Sequence, residues 1–193
     1  MSMICSGLKQ NRSLLTLDVS HNCITNIKDL CEALEDSMLE ELVLAGNRIG
    51  NEGCEDLGGI IDECLLISLD LSNNHISSEG LLPIWKGLCK NNTMSQLKLD
   101  FNNFASGLTP EFTVFMSTNI SLKSLSLAGT ELSDKGVVPF NEGFVFNHGL
   151  VTLNLSKNKI SNNGVSAIVA GLGKNKYLRT LNLAQNKIKV TYK

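Results

Sequence analysis

An eleven-residue pattern returns seven times along this 193-residue chain. Its clearest copy is L-V-T-L-N-L-S-K-N-K-I, with leucines at 150, 153 and 155, Asn158 and Ile160. The copies open at Leu14, Leu39, Leu66, Met94, Leu122, Leu150 and Leu178, at steps of 25, 27, 28, 28, 28 and 28 residues. A fixed period of this length means a stacked array, because one such unit cannot bury its apolar face alone and neighbours must complete it.

Each unit reads alike. Alternation around the paired leucines predicts a short strand with one face buried. An asparagine follows where the chain must turn, at Asn22, Asn47, Asn74, Asn102, Asn158 and Asn186, and its amide can bond backbone groups that the turn leaves unpaired. Thr130 takes that place in repeat five and predicts a weaker turn. Glycines at 53, 80, 136 and 164 sit six residues beyond the asparagine place, which suggests a backbone requirement there such as positive φ. Apolar residues at helical spacing come next, for example Phe112, Phe115 and Met116, with Pro83, Pro110 and Pro139 near the helix starts.

The 28-residue unit L-x-x-L-x-L-x-x-N-x-I-x-x-x-G resembles the ribonuclease-inhibitor type of leucine-rich repeat over residues 3–190. The resemblance implies an α/β solenoid, a horseshoe arc with a parallel concave sheet of about seven strands and α-helices on the convex side. Helices are wider than strands, which puts the sheet on the inner curve. It also implies a protein-binding surface, as in ribonuclease inhibitors, the sensor halves of NOD-like receptors, tropomodulins, Ran GTPase-activating proteins and ciliary scaffold subunits.

Residues 1–193 are expected to form a single domain. The chain opens inside a helix and closes just after a strand motif, and neither end carries a polar cap, so a piece of a longer array is expected. The start, MSMICSGLKQN, has no apolar run of signal-peptide length, and no stretch approaches a membrane span. Six cysteines without a C-x-x-C pair read as core thiols of a reducing compartment, which predicts a cytoplasmic protein. Sequons at Asn11, Asn91, Asn119 and Asn154 read as by-products of the repeat. Residues 1–97 hold 14 acidic and 6 basic side chains and residues 98–193 hold 5 and 11, although the net charge is only -2. Such a rod has a dipole that can steer encounter with a partner or with its own kind.

Phosphate-loop, dinucleotide and zinc-protease motifs are lacking. Asp70, Ser72 and Asn74 mimic the start of a calcium loop, but His75 stands where glycine is needed. His21, His75 and His148 are too dispersed to predict a metal site. The expectation is a non-enzyme without cofactor or metal, whose partner is a protein rather than a small molecule, nucleic acid or membrane.

Binding is expected at concave positions that the core does not dictate: Asp18, Asp70, Lys98, Asp100, Phe101, Asn154, Lys157 and Asn182. Phe101 between charged neighbours has hot-spot character; the alternative is that it packs over Phe104 or a neighbouring loop. Trp85 and Phe146 either form a second sticky area on the outer face or, for Trp85, lie flat over the helix. Lys157, Lys159, Arg179, Lys187 and Lys189 are expected to form one basic ridge suited to an acidic protein surface. The function this predicts is a scaffold or adaptor. Two alternatives are a small-GTPase regulator resembling Ran GTPase-activating proteins and a structural subunit of a cytoskeletal or ciliary assembly.

Overall fold

A computed structural model describes residues 2–189. Seven three-residue strands form one parallel sheet in sequence order: β1 (Thr16–Asp18), β2 (Glu41–Val43), β3 (Ser68–Asp70), β4 (Gln96–Lys98), β5 (Ser124–Ser126), β6 (Thr152–Asn154) and β7 (Thr180–Asn182). Leu42, Leu69, Leu97 and Leu125 are direct partners in adjacent strands. The period of the sequence has become the register of the sheet.

The helices pack in a second layer: α1 (Ser2–Gln10), α2 (Lys28–Leu34), α3 (Gly50–Ile60), α4 (Leu82–Leu88), α5 (Pro110–Thr118), α6 (Pro139–Phe146) and α7 (Asn162–Leu172). A 3₁₀ turn, Glu79–Leu81, leads into α4, and proline sits in the first turn of α4, α5 and α6. Repeat one, with the shortest spacing, has a helix of only seven residues. The core runs unbroken between the layers from Cys5 to Ile168. At both outer strands the central leucine is only half-buried, because a neighbouring strand covers one side alone.

The turn asparagines form a ladder at the trailing edge, where the strands end. Asn102 shows the pattern. Its Nδ2 donates to the carbonyls of Leu71 and Leu99, both at 2.9 Å, and its Oδ1 accepts from the amides of Asn74 and Ile76, both at 3.0 Å. Apart from Asn22, whose amide bonds carbonyls of its own repeat, the asparagine rungs tie two repeats together. Thr130 supplies part of the rung. Its hydroxyl keeps the bond to the Leu127 carbonyl at 2.8 Å, and its own carbonyl accepts from the Phe104 amide at 2.8 Å, the bond an asparagine oxygen makes elsewhere.

Positive φ falls elsewhere than expected. The residue before the asparagine place is left-handed in all seven repeats, His21, Gly46, Asn73, Phe101, Gly129, Lys157 and Gln185, and His75, Glu131, Gly50 and Gly107 are so outside that register. The four register glycines are needed for room instead. A Cβ on Gly53 would lie 2.0 Å from Ile49 Cγ2, and one on Gly164 would lie 2.6 Å from Asp134 Oδ1. Trp85 also departs from both expectations. It is fully buried, stacked on Phe115 at 5.1 Å and edge-on to Phe112 at 5.2 Å. Phe146 remains exposed on the helical side.

Candidate functional site

Period two turns the first and third residues of every strand to the open face of the sheet. At the centre of that face lies a hollow of about 480 Å³. It brings together Asp70, Lys98, Asp100, Phe101 and Asn154 of the expected binding residues. Gln96, Ser124 and Thr152 line it as well. These three are strand-opening residues that the sequence reading passed over, although the same alternation predicted their direction. Asp18 and Asn182 lie on the outermost strands, away from the hollow.

Several polar side chains of the face are already engaged. Asp18, Asp70, Asn154 and Asn182 each accept, through Oδ1, the amide two residues ahead, at 2.9, 2.9, 3.1 and 3.0 Å. Hydrogen bonds from Ser20 hold the Asp18 carboxyl below the usual aspartate range. Asp100 accepts from the Ser126 hydroxyl and the Ala128 amide, and Asn154 donates to the Ser126 hydroxyl at 3.0 Å. A polar relay thus crosses three repeats and stiffens the floor of the hollow. Lys98 Nζ stands 3.6 Å from Asp70 Oδ2, with its side chain 43% exposed.

Phe101 is the exception to this local bookkeeping. It is 54% exposed and held at φ 56°, a conformation in which a bulky side chain is an outlier. Its ring packs over a neighbouring loop, the alternative its place allowed. It lies across Gly129 in the next repeat, so close that a Cβ there would meet Phe101 Cδ1 at 2.7 Å. Lys157, one repeat further on, sets its ammonium 5.3 Å from the ring centroid. Aromatic, glycine and lysine therefore occupy one register in repeats four, five and six. The same device recurs at His21, whose ring covers Gly46.

The basic ridge is divided. Lys157, Lys159, Lys187 and Lys189 follow the strands, and Lys159 is paired with Glu131. Arg179 precedes β7 and belongs to the opposite edge. Among the cysteines, Cys5, Cys31, Cys54 and Cys64 are buried, and burial pushes the thiols of Cys31 and Cys54 up to about 12. Cys89 is half-buried and Cys23 is exposed, so neither is a plain core thiol. Among the described residues, no cluster of three or more His, Cys, Asp or Glu could hold a metal ion. No described helix is long and apolar enough to cross a membrane.

A second asparagine ladder, missed in the sequence, runs along the leading edge, where the chain approaches the strands. Asn119 Nδ2 donates to the carbonyls of Leu88 and Asn91 at 2.7 and 3.1 Å, and its Oδ1 accepts from the Leu122 amide at 2.8 Å. Asn91, Asn147 and Asn175 repeat the arrangement. The sequons at Asn91 and Asn119 belong to it: both amides are buried, and each also donates to the hydroxyl of its own sequon, Thr93 or Ser121. Recurrence of Asn11, Asn91, Asn119, Asn147 and Asn175 three residues before five of the seven repeat openings is the signal that could have found it.

Comparison with known proteins agrees with this architecture. The Leucine Rich repeat family matches residues 10–27, 35–58, 64–84, 118–140, 146–169 and 174–190, together more than half of the chain. Human NACHT, LRR and PYD domains-containing protein 13 is 31% identical over 69% of this chain. Mouse ribonuclease inhibitor is 37% identical over 49% of it. The chain spans only 13% and 22% of those two proteins. Among solved structures, leiomodin-1 Actin-Binding Site 2 has a TM-score of 0.58 at 20% identity, covering 88% of both chains, a likeness of fold. The matched segments skip repeat four, where Met94 and Phe104 replace the leucine and isoleucine, yet the sheet runs through it without a break. With its parallel sheet, its two asparagine ladders and these matches, the chain belongs to the leucine-rich repeat family of the ribonuclease-inhibitor type.

Proposed function

We propose that this chain is a non-catalytic protein-binding module that grips its partner on the concave sheet and the adjoining trailing-edge turns. One observation carries the reading: Phe101 is held half-exposed in a strained conformation, bedded on Gly129 and capped by Lys157. Every repeat needs the left-handed φ for its turn, but an exposed aromatic is a costly choice for that place where glycine or asparagine would do, and such residues cluster at functional positions. An exposed ring with a fixed cation beside it is the kind of anchor that dominates protein interfaces. Lys98 and Lys157 favour a partner segment with carboxylates around an apolar side chain.

Phe101→Asn separates binding from folding, because asparagine tolerates left-handed φ. The expected outcome is at least about tenfold weaker recovery of cellular partners by affinity capture, a hot-spot loss, with folding stability undiminished. Gly129→Ala, which displaces the ring without removing it, is expected to weaken recovery as well. Recovery unchanged by Phe101→Asn and by combined charge reversal of Lys98 and Lys157 would reject the concave face.

A second reading, a subunit of a cytoskeletal assembly, is favoured by the end-to-end match with an actin-binding domain. Co-sedimentation with filamentous actin tests it directly, and a chain that stays in the supernatant counts against it.

A further inference from the structure

One arrangement occurs twice on the trailing edge. His21, Gly46 and Asn73 hold the left-handed place in repeats one to three, and Phe101, Gly129 and Lys157 hold it in repeats four to six. In each triplet an exposed ring lies over the glycine of the next repeat. A Cβ on Gly46 would stand 2.6 Å from His21 Nδ1, and one on Gly129 would stand 2.7 Å from Phe101 Cδ1. A side chain at either glycine would push its ring away.

The six residues belong to one continuous row. The amide of each donates to the carbonyl just before the next member, as His21 does to Ala45 at 2.7 Å and Phe101 to Ala128 at 2.8 Å. Neighbours in the row are therefore one strand spacing apart, about 4.8 Å, and the two rings, three steps apart, stand about 14 Å from each other. A ligand that meets both must present two side chains on one side at that distance. Extended chain does so, because residues i and i+4 point the same way and lie about 13 Å apart. On an α-helix the same span takes about nine to ten residues, which turns the second side chain to roughly the opposite face.

The row is also basic. Its members and the residues just past the ladder place include Arg48, Lys157, Lys159 and Lys187 but one carboxylate, Glu131, which Lys159 pairs, although the net charge of the chain is -2. Arg48 belongs to the repeat whose glycine carries the His21 ring, and Lys157 sets its ammonium beside the Phe101 ring. A cation accompanies each ring.

Resting on the protein-binding reading above, we propose that the partner contributes an extended acidic segment that lies along the trailing edge, across the ends of the strands. Apolar side chains at i and i+4 seat on His21 and Phe101, and carboxylates beside them meet Arg48 and Lys157. Single-stranded nucleic acid would need aromatic platforms for successive bases, and between the two rings the row offers only Gly46 and Asn73.

Selection from a phage-displayed library of random twelve-residue peptides tests this. Enriched sequences should carry two apolar residues four apart among Asp and Glu. The most enriched peptide, titrated by fluorescence anisotropy, should bind at least about tenfold more weakly to His21→Asn and to Phe101→Asn, as at a hot spot. Moving one of its apolar residues by one position should weaken it as much, and its affinity should fall as salt rises. Asparagine tolerates the left-handed place, so circular dichroism should show both variants folded. Sensitivity to Phe101→Asn without any to His21→Asn or to spacing overturns the extended segment and leaves the concave site standing. Indifference to both substitutions rejects the segment together with the Phe101 anchor. No enrichment, a helical spacing of seven, or tighter binding of oligothymidylate than of the peptide would likewise overturn the proposal.

Discussion

The two ladders use one side chain at opposite edges of the sheet, with different tolerance for gaps. At the trailing edge the gap is at Thr130, and backbone closes it: the threonine carbonyl takes the Phe104 amide. At the leading edge the gaps are at Asp36 and Glu63, where the carboxylates turn outward and short local bonds serve instead, from the Ser37 hydroxyl to the Leu34 carbonyl and from the Cys64 thiol to the Ile61 carbonyl. The difference teaches where the array can vary. Next to the strands, a left-handed turn fixes where every amide points, and a neighbouring carbonyl is always within reach. At the helix-to-strand return the connection differs in length between repeats, so side chains there are released for other use.

The sharpest way to break this comparison is to remove one rung from each ladder. Asn102→Ala strands four buried backbone partners and is expected to destabilise by about 3 kcal/mol, more than any single rung of the other ladder, as measured by denaturant unfolding. Asn119→Ala loses three backbone bonds at the leading edge and should destabilise by about 2 kcal/mol in the same assay. If the two losses are reversed in order, the trailing edge is not the more tightly specified. Thr130→Val removes the hydroxyl with its bonding to the Leu127 carbonyl and to Asn158 Oδ1, so its effect should be about 1 kcal/mol, since the carbonyl bond to Phe104 survives.

The smallest effect is a pH dependence. Asp134 accepts from the Ser161 amide at 2.6 Å, and from its hydroxyl, at the start of α7. Those bonds hold its carboxyl below the ordinary value of 3.8. A depressed carboxyl contributes stability that is complete above its unfolded value and fades as pH falls through the folded one. Melting temperature should therefore drop less steeply below about pH 4 in Asp134→Asn than in the parent chain.

Fold was almost fully legible in the sequence, because strand register follows directly from the spacing of leucines. Leu42 stands beside Leu69 since 27 residues is one full coil of this array. Turn conformation was less legible. Gly46 and Gly129 mark the left-handed place, but His21, Asn73, Phe101, Lys157 and Gln185 share it, and the glycines at 53, 80, 136 and 164 drew attention to the wrong register. Side-chain partnerships across repeats were illegible for a simple reason. Asp100 reaches Ser126 and Ala128 some 26 and 28 residues on, and nothing in the local sequence tells an engaged carboxylate from a free one. Trp85 was misread because its place is occupied by small or polar residues in other repeats, whereas here it fills space between α4 and α5 against Phe112 and Phe115.

That buried indole is the single tryptophan of the chain, and it sits on the phenylalanines of the following repeat. Its fluorescence therefore listens to the middle of the array alone. In a stack whose stability is a sum of neighbour contacts, unravelling from either terminus would pass unheard until it arrived there. Disagreement between the emission signal and circular dichroism during a melt would count how many coils had peeled away first.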